Sequence, residues 1–322
     1  MIAAAAAAAA LACQPHPGLG SVSLVRRGKV RVIDLGTCRE RVRPERRRPV
    51  PFATRDGRFS AAVRSSGKGK TAKQTIWVTD QRTGRSQPVF SETQWYRTIG
   101  PGETPGPIEL LAWSGDGRWI FFVVDPGGSG SIQADGLTLR VVSRAGGPAR
   151  RVAKMLVYPN YLTWCGGRLV FTAGIDRVAT NRKRLLVAKP PAWRTRPLVA
   201  GSARAWGAVT CAPDGRAVAV QSQEQSDDAD FFAVHWSLWR IGLDGSRRRL
   251  TSPPRGYADE SPRFSRDGRT LLFVRSRKGV GKLYALRGGK LAGPLLPVGY
   301  SLGYYGHQDW WQTMEWSLAA RQ

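Results

Sequence analysis

The stretch SPRFSRDGRTLLFV, residues 261–274, places an Asp-Gly pair between two runs that favour strands. An Asp-Gly pair in this setting predicts a tight β-hairpin, because both residues tolerate the positive φ that such a turn requires. The same pattern returns four times, as FATRDGRFSAAV, LAWSGDGRWIFFVV, LTWCGGRLVFTA and VTCAPDGRAVAV. The turns stand about fifty to sixty residues apart, a period typical of propeller blades.

Each repeat continues in the same way after its second strand. Third strands are predicted in TIWVTD from Thr75, SLWRIGLD from Ser237 and KLYALR from Lys282, and short turns lead on to a fourth strand. The second strands, such as IFFVV from Ile120, are apolar on both faces, as expected when neighbouring blades cover them. We therefore predict an all-β fold of four-stranded antiparallel blades.

The two ends of the chain complement each other. Residues 21–42 supply a second, a third and a fourth strand without a first, whereas MEWSLAAR from Met314 matches the start of a repeat. The segment from Met314 to Trp316 is thus predicted to form the missing innermost strand, which removes the exposed edges of an open array. Five complete blades and one shared blade make six. We divide the chain into a signal-peptide-like segment, 1–20, and one six-bladed β-propeller, 21–322.

The units FSRDGRTLLFV and WSGDGRWIFFVV, with their third strands KLYAL and LTLRVVS, resemble the repeats of TolB-like six-bladed propellers. This family includes the propeller domain of the TolB protein of the Tol-Pal envelope system. The resemblance extends from about residue 21 to the end and implies the propeller fold. Related propellers serve as partner-binding scaffolds and as non-catalytic domains of peptidases. We expect no counterpart of TolB's N-terminal α/β domain, for which this chain has no room.

The N-terminal sequence MIAAAAAAAALAC indicates export. Its apolar run from Ile2 to Ala12 is typical of the central region of a signal peptide. Cys13, which follows Leu11 and Ala12, resembles a lipoprotein cleavage site and is the predicted lipidation site. We expect a periplasmic, secreted or membrane-anchored protein of the cell envelope, the alternative being a low-complexity alanine tail.

The chain has four cysteines, Cys13, Cys38, Cys165 and Cys211. If Cys13 is lipidated or removed, an odd number remains, and they cannot all pair internally. Cys211 stands where sister repeats carry Trp or Phe, so a buried free thiol is the simpler interpretation, although one disulfide is compatible with export. No Cys-x-x-Cys spacing occurs, and we predict neither a metal site nor a cofactor.

The charge is strongly basic, with 50 Lys and Arg against 23 Asp and Glu and a formal net charge of +27. Such a balance favours an acidic partner, here an anionic envelope polymer or lipid headgroups, unless it reflects only a biased genome. No segment interleaves basic and aromatic residues, so nucleic acid is not the expected partner. We predict that the side of the short turns is the basic face, with a binding site at Arg247, Arg248 and Arg249. More than half of the acids, among them Asp125, Asp259 and Glu260, are assigned to the opposite side.

That opposite side carries the long loops, which join second to third strands and one blade to the next. Because strand direction alternates, these loops emerge together, and long loops on a rigid scaffold are where binding concentrates. The segment GYSLGYYGHQDWWQ from Gly299 provides the predicted binding residues of this face, namely Tyr304, Tyr305, His307, Asp309 and Trp310. The alternative is that its aromatic residues only pack the last blade.

Catalytic signatures are scarce. The chain has only three histidines, and no catalytic residue is assigned. We predict a monomeric, non-enzymatic scaffold that binds a protein or an envelope polymer through its long-loop face. The alternatives are a metal-dependent hydrolase or lyase with its site in the central channel, and an accessory domain of a membrane complex.

Overall fold

The computed structural model describes residues 13–26, 29–44, 52–67, 73–93, 108–125, 136–228, 234–301, 303, 305–308, 310 and 314–315. The elements of this part are β-strands apart from one 3-10 turn, Pro159–Tyr161. The strands form six four-stranded antiparallel sheets, each ordered as one propeller blade. The predicted all-β, six-bladed propeller is confirmed.

The strands of the first three blades are given from the inner to the outer edge. Blade one consists of β24 (Met314–Glu315), β1 (Ser21–Arg26), β2 (Lys29–Asp34) and β3 (Glu40–Pro44). Blade two consists of β4 (Phe52–Ala53), β5 (Phe59–Ser66), β6 (Lys73–Asp80) and β7 (Ser86–Thr93). Blade three consists of β8 (Ile108–Trp113), β9 (Trp119–Val124), β10 (Leu137–Ser143) and β11 (Arg150–Met155).

The other three blades follow the same order. Blade four consists of β12 (Leu162–Cys165), β13 (Arg168–Ala173), β14 (Arg184–Ala188) and β15 (Thr195–Pro197). Blade five consists of β16 (Arg204–Cys211), β17 (Ala217–Glu224), β18 (Ser237–Gly242) and β19 (Arg247–Arg249). Blade six consists of β20 (Ala258–Phe264), β21 (Thr270–Arg277), β22 (Val280–Arg287) and β23 (Lys290–Tyr300).

The ring is closed by the pairing of the two chain ends. In blade one, Ser23 of β1 lies opposite Glu315 and Leu24 lies opposite Met314. This pairing confirms that the C-terminal region supplies the innermost strand; Trp316 lies outside the described residues. First strands of successive blades, such as β12, β16 and β20, also contact one another, which places them around the central channel.

The core lies between the blades. Phe121 and Phe122 in β9 are both fully buried, although consecutive strand residues point to opposite faces of a sheet. Phe121 packs in the cluster shared with blade four, which contains Trp193, and Phe122 packs with Ile76 of blade two. Second strands are thus apolar on both faces because a neighbouring blade covers each face.

Both cysteine predictions are corrected by two disulfides, Cys13–Cys38 and Cys165–Cys211. Their Cα atoms lie 5.6 and 5.3 Å apart, within the range that a disulfide requires. Cys211 is therefore not a free thiol, because the inner strand of blade four places Cys165 beside it. The Cys13 sulfur is bonded to Cys38 and cannot carry a thioether lipid at the same time.

The residues that follow Cys13 lie against the propeller. The Gln14 amide donates to the carbonyl of Leu295 in blade six, and the His16 amide donates to the carbonyl of Leu35, which follows β2. Residues 1–12, which hold the apolar run, lie outside the described residues, and the domain division at residue 20 stays a prediction. In the described part of the chain, no helix has the length and apolar character needed to cross a membrane.

Candidate functional site

The aspartates of the hairpin turns are structural. Asp56 accepts hydrogen bonds from the Thr54 hydroxyl and the Arg58 amide, and Asp267 is bound in the same way by Ser265 and Arg269. The hydroxyl partner is the main reason that the pKa values of both carboxyls lie below their usual range. These carboxylates therefore stabilise their own turns.

The segment from Tyr300 to Trp310 covers part of the long-loop face. It leaves blade six at Ser301, whose amide donates to Gly279, and reaches blade four, where the Ala179 amide donates to the carbonyl of Tyr305. It then returns to blade six at Trp310, whose ring lies against the backbone of Gly281. The chain itself therefore contacts blades four and six on this face.

His307 anchors this segment to blade four. The ring is buried, stacks on Tyr158 with centroids 4.4 Å apart, and lies 2.9 Å through Nε2 from the carbonyl of Arg177. Because Nε2 donates to that carbonyl, Nδ1 accepts from the hydroxyl of Tyr161, at 2.7 Å. Burial lowers the pKa of His307 to about 3, so the ring is neutral at physiological pH.

Trp310 anchors the segment to blade six through a buried carboxyl group. Its indole N–H donates to Oε2 of Glu260 at 3.0 Å, and the Ser276 hydroxyl donates to the same oxygen at 2.7 Å. Burial raises the pKa of Glu260 to about 7. The preceding residue, Asp259, is fully buried and forms a bidentate ion pair with Arg275, at 2.6 and 2.8 Å.

The predicted aromatic binding site on the long-loop face is therefore wrong for two of its residues. His307 and Trp310 are 4% and 0% exposed, because they fasten their own segment to blades four and six. Tyr305 is half-buried and has a positive φ of 51°, and Tyr304 and Asp309 lie outside the described residues. The alternative interpretation, internal packing, holds for His307 and Trp310.

Lys183 is a buried structural residue that the sequence did not reveal. Its ammonium group is completely buried and donates to three carbonyl oxygens, those of Asp176, Val178 and Asn181, at 2.6 to 2.9 Å. Burial lowers the pKa of Lys183 to about 8. A lysine side chain in a long polar loop is normally expected to be exposed to solvent. Here the buried Lys183 instead holds together the loop that carries Arg177 and Ala179.

The acids assigned to the long-loop face contribute less surface charge than predicted. Asp125, Asp259 and Glu260 are at most 2% exposed. Glu109 is half-buried, and burial followed by repulsion from Asp125 raises its pKa. Among the described residues, no three His, Cys, Asp or Glu side chains lie close enough together to hold a metal ion.

The predicted basic site lies on the surface of blade five. Arg247, Arg248 and Arg249 form β19, the outer edge strand that follows the turn at residues 243–246, and all three are exposed. Two further arginines lie next to them, Arg240, which is directly opposite Arg248 in β18, and Arg204, whose guanidinium lies 4.9 Å from the ring of Trp239. We call this set of five arginines the basic rim: Arg204, Arg240, Arg247, Arg248 and Arg249.

Comparisons with known proteins concern the fold. No family model matches the chain, and no curated protein matches it. TolB from Acinetobacter baumannii is similar in structure, with 17% identity, 86% of this chain and 63% of that chain covered, and a TM-score of 0.48. A putative TolB from Agrobacterium tumefaciens has 16% identity, coverages of 87% and 90%, and a TM-score of 0.49.

An oligogalacturonate lyase in complex with manganese is also similar, with 16% identity, coverages of 85% and 75%, and a TM-score of 0.46. This chain spans less than two thirds of the Acinetobacter TolB chain. The predicted resemblance to TolB-like propellers is confirmed as a likeness of structure, in a fold shared by TolB proteins and enzymes.

Proposed function

We propose that the protein is an exported, non-enzymatic scaffold that binds an anionic polymer of the cell envelope through its basic rim. The polymer site is the one predicted on the short-turn side at Arg247, Arg248 and Arg249, and the long-loop face is not part of it. Two observations support this assignment. The chain's own segment covers part of the long-loop face, whereas the three arginines of β19 are exposed.

The observation that carries the proposal is the packing of like charges in the basic rim. Arg240 and Arg248 lie directly opposite each other on neighbouring strands, an arrangement that destabilises a sheet. The pKa of Arg204 is lowered, first by burial and then by the charges of Arg249 and Arg247, with Glu224 acting in the opposite direction. Within the described part of the chain, Arg240 is the rim arginine that forms an ion pair, with Asp214 at 3.6 Å. A bound polyanion would relieve this repulsion.

Export is supported by the two disulfides. Disulfides persist in oxidising compartments such as the periplasm or the exterior and are rare in the cytosol. All four cysteines of the chain are paired. Mass spectrometry of the native protein under non-reducing conditions should find no alkylatable thiol and an N-terminus processed before Cys13. An unprocessed Met1 with free thiols in a cytosolic fraction would contradict export.

Binding to two soluble polyanions, polyphosphate and polygalacturonate, tests the proposal. The triple variant Arg247→Gln, Arg248→Gln, Arg249→Gln should bind both more weakly, with a smaller decrease in affinity as salt is added, because fewer counterions are released. The matched control changes Arg55, Arg82 and Arg85, which are exposed on turns of blade two. It removes the same charge and should keep affinity near that of the wild type. An equal loss in both variants would reduce the proposal to non-specific charge attraction.

A second candidate function is capture of a protein through the remaining long-loop surface. Ile175 and Tyr300 are large apolar side chains that are each 54% exposed there, and they would add apolar contact area to a protein interface. The wild type should capture a partner protein, and that partner used as bait should capture the wild type. The double variant Ile175→Ser, Tyr300→Ser should fail in both experiments. A partner retained equally by both forms would argue against this surface.

The non-enzymatic part of the proposal has a separate test. Elemental analysis of the purified protein should show no stoichiometric divalent metal ion. A bound ion at one equivalent would instead favour the metal-dependent hydrolase or lyase.

A further inference from the structure

A small cavity lined by cations opens on the short-turn side of blade four. Its volume is about 160 Å³. Two small apolar side chains and four cationic ones line it, and no acidic residue does: Val187, Ala188, Arg168, Lys189, Arg194 and Arg196. We call it the blade-four pocket.

The strand register explains why these cations converge. Leu169 lies opposite Ala188, so that the next step along the ladder brings Arg168 beside Lys189. Arg196 lies directly opposite Val187 on the outer strand and therefore projects from the same face of the sheet. The pocket is thus built on paired strands and not on a loop alone.

The loop that carries Lys189 and Arg194 is anchored in the core. Trp193 is 2% exposed, its amide donates to the carbonyl of Lys189 at 2.9 Å, and its ring packs edge-on against Trp119 and Phe121. Arg194 follows Trp193 directly. The positions of Lys189 and Arg194 are therefore set before any ligand arrives, which lowers the entropy that binding would cost.

The charges of the pocket are not compensated within the described part of the chain. There, none of the four cations forms an ion pair. Three of them are exposed and Arg168 is half-buried. Arginine guanidinium groups bind phosphate and carboxylate oxygens in pairs, and lysine adds a compact charge. The pocket therefore presents four positive charges to an anion from a concave surface.

The pocket and two rim arginines that share a face with Ile241, namely Arg247 and Arg249, lie on two walls of one crevice. Val187 of blade four and Ile241 of blade five belong to the same apolar cluster, which fills the space between the two blades. Arg196 lies opposite Val187 and Arg247 lies opposite Ile241, so both arginines project from the faces that enclose this cluster. A single extended anion can meet both walls.

We propose that the blade-four pocket binds a phosphate group of a phosphate-bearing envelope polymer. The inference rests on the proposed function and narrows it to one polymer chemistry. A cavity of 160 Å³ equals about five water volumes, which is enough for a phosphate with its first attached group. Four cations match a phosphate dianion better than a single carboxylate, and Val187 and Ala188 leave an apolar floor for the attached carbon.

Calorimetric titration with two small ligands tests the pocket without any polymer. Glucose 1-phosphate should bind at low ionic strength in a phosphate-free buffer, and galacturonate, a carboxylate of similar size, should bind at least tenfold more weakly. The variant Arg194→Gln, Arg196→Gln should lose about tenfold or more in affinity for glucose 1-phosphate, the effect of removing charged hydrogen bonds. The charge-matched control Arg82→Gln, Arg85→Gln, on an exposed turn of blade two, should change it less than twofold. Thermal unfolding of both variants verifies that each is folded.

The outcomes separate the pocket from the proposed function. If the pocket variant binds glucose 1-phosphate like the wild type, or if galacturonate binds equally well, the phosphate assignment is overturned. If the triple variant of β19 still binds the polymers more weakly than the wild type, the proposed function would remain supported. Conversely, a pocket that binds glucose 1-phosphate in a protein that binds neither polyphosphate nor polygalacturonate supports the pocket and overturns the polymer function.

Discussion

Glu260 is a carboxyl group that folding removes completely from water. Its two neighbours, the Ser276 hydroxyl and the Trp310 indole, both donate to Oε2, which favours the charged form, but burial dominates and raises the pKa to about 7. An amide of the same shape could accept both bonds without a charge. The residue is therefore a sensitive reporter of how the closing segment docks.

The first prediction concerns the pH dependence that Glu260 causes. Between pH 4.5 and 7 the unfolded chain releases this proton while the folded chain keeps it, so the free energy of unfolding falls as pH rises, by up to about 3 kcal/mol. Glu260→Gln should remove this decrease and be more stable than the wild type at pH 8. Urea unfolding at pH 5 and pH 8 measures it, with the exposed Glu224→Gln as control. Parallel pH profiles for Glu260→Gln and the wild type would contradict the prediction.

At the residue scale, the sequence predicts the role of a side chain correctly where that role depends on neighbours in the sequence. It does not predict which polar side chains are buried in the fold. The turn role of Asp56 and Asp267 follows from the Asp-Gly pair alone. The burial of His307 and Glu260 depends on the docking of the segment from Tyr300 to Trp310, and Lys183 is enclosed by the carbonyl groups of its own loop. The residue type alone carries no signal of either arrangement. Cys211 was misread because its partner, Cys165, lies in the adjacent blade and not at a recognisable spacing.

At the scale of elements, the segment from Tyr300 to Trp310 behaves as a strap fastened at two points. His307 is held at blade four as a neutral ring, because burial disfavours its charged form. The charges and titratable groups next to it are the buried Lys183, which further lowers its pKa, and the two tyrosines Tyr158 and Tyr161. Protonation would therefore place a charge in this buried contact and weaken it.

The second prediction is that acid loosens this strap. Because the folded pKa of His307 is about 3 and the unfolded value is 6.5, the stability that the neutral ring provides is present above pH 6.5 and is lost as pH falls towards 3. Amide exchange in residues 299–310, corrected for its intrinsic pH dependence, should increase between pH 7 and pH 4.5. His307→Gln, which cannot be protonated, should show no such change. Equal protection of the wild type at both pH values would refute the assignment.

The third prediction concerns the disulfide between the inner strands of blades four and five. Cys165–Cys211 closes a loop of 46 residues, and its removal should cost about 4 kcal/mol through the entropy of the unfolded chain. The double variant Cys165→Ser, Cys211→Ser should therefore unfold at a lower denaturant concentration than the wild type. Cys13→Ser, Cys38→Ser is the matched comparison, because its loop spans 25 residues and its loss should cost slightly less. Reduction of the wild type without any loss of stability would contradict both values.

At the scale of the whole molecule, closure of the ring depends on the short pairing between β24 and β1. Among the described residues, β24 contributes Met314 and Glu315 to blade one, and without it β1 would become an exposed edge that contains the buried Leu24 and Val22. Sequence reasoning found this closure because the repeat is incomplete at both ends in complementary ways. It could not find the path of the strap, since no repeat unit encodes it.

The fourth prediction is that deletion of residues 314–322 destabilises the whole propeller. Loss of the inner strand should cost about 3 kcal/mol in backbone hydrogen bonds and apolar burial, and it should expose an edge that promotes association. Thermal unfolding and light scattering of the truncated chain provide the measurement. A truncated chain that melts with the full chain and stays monomeric would show that β24 does not close the ring.

The central claim is that an anionic polymer binds in the crevice between blades four and five. Arginine labelling with phenylglyoxal, read by mass spectrometry with and without polyphosphate, tests it most directly. We predict that the polymer protects Arg194, Arg196 and the three arginines of β19, while Arg55, Arg82 and Arg85 on blade two react at unchanged rates. Uniform protection of all these arginines, or protection confined to blade two, would contradict the claim.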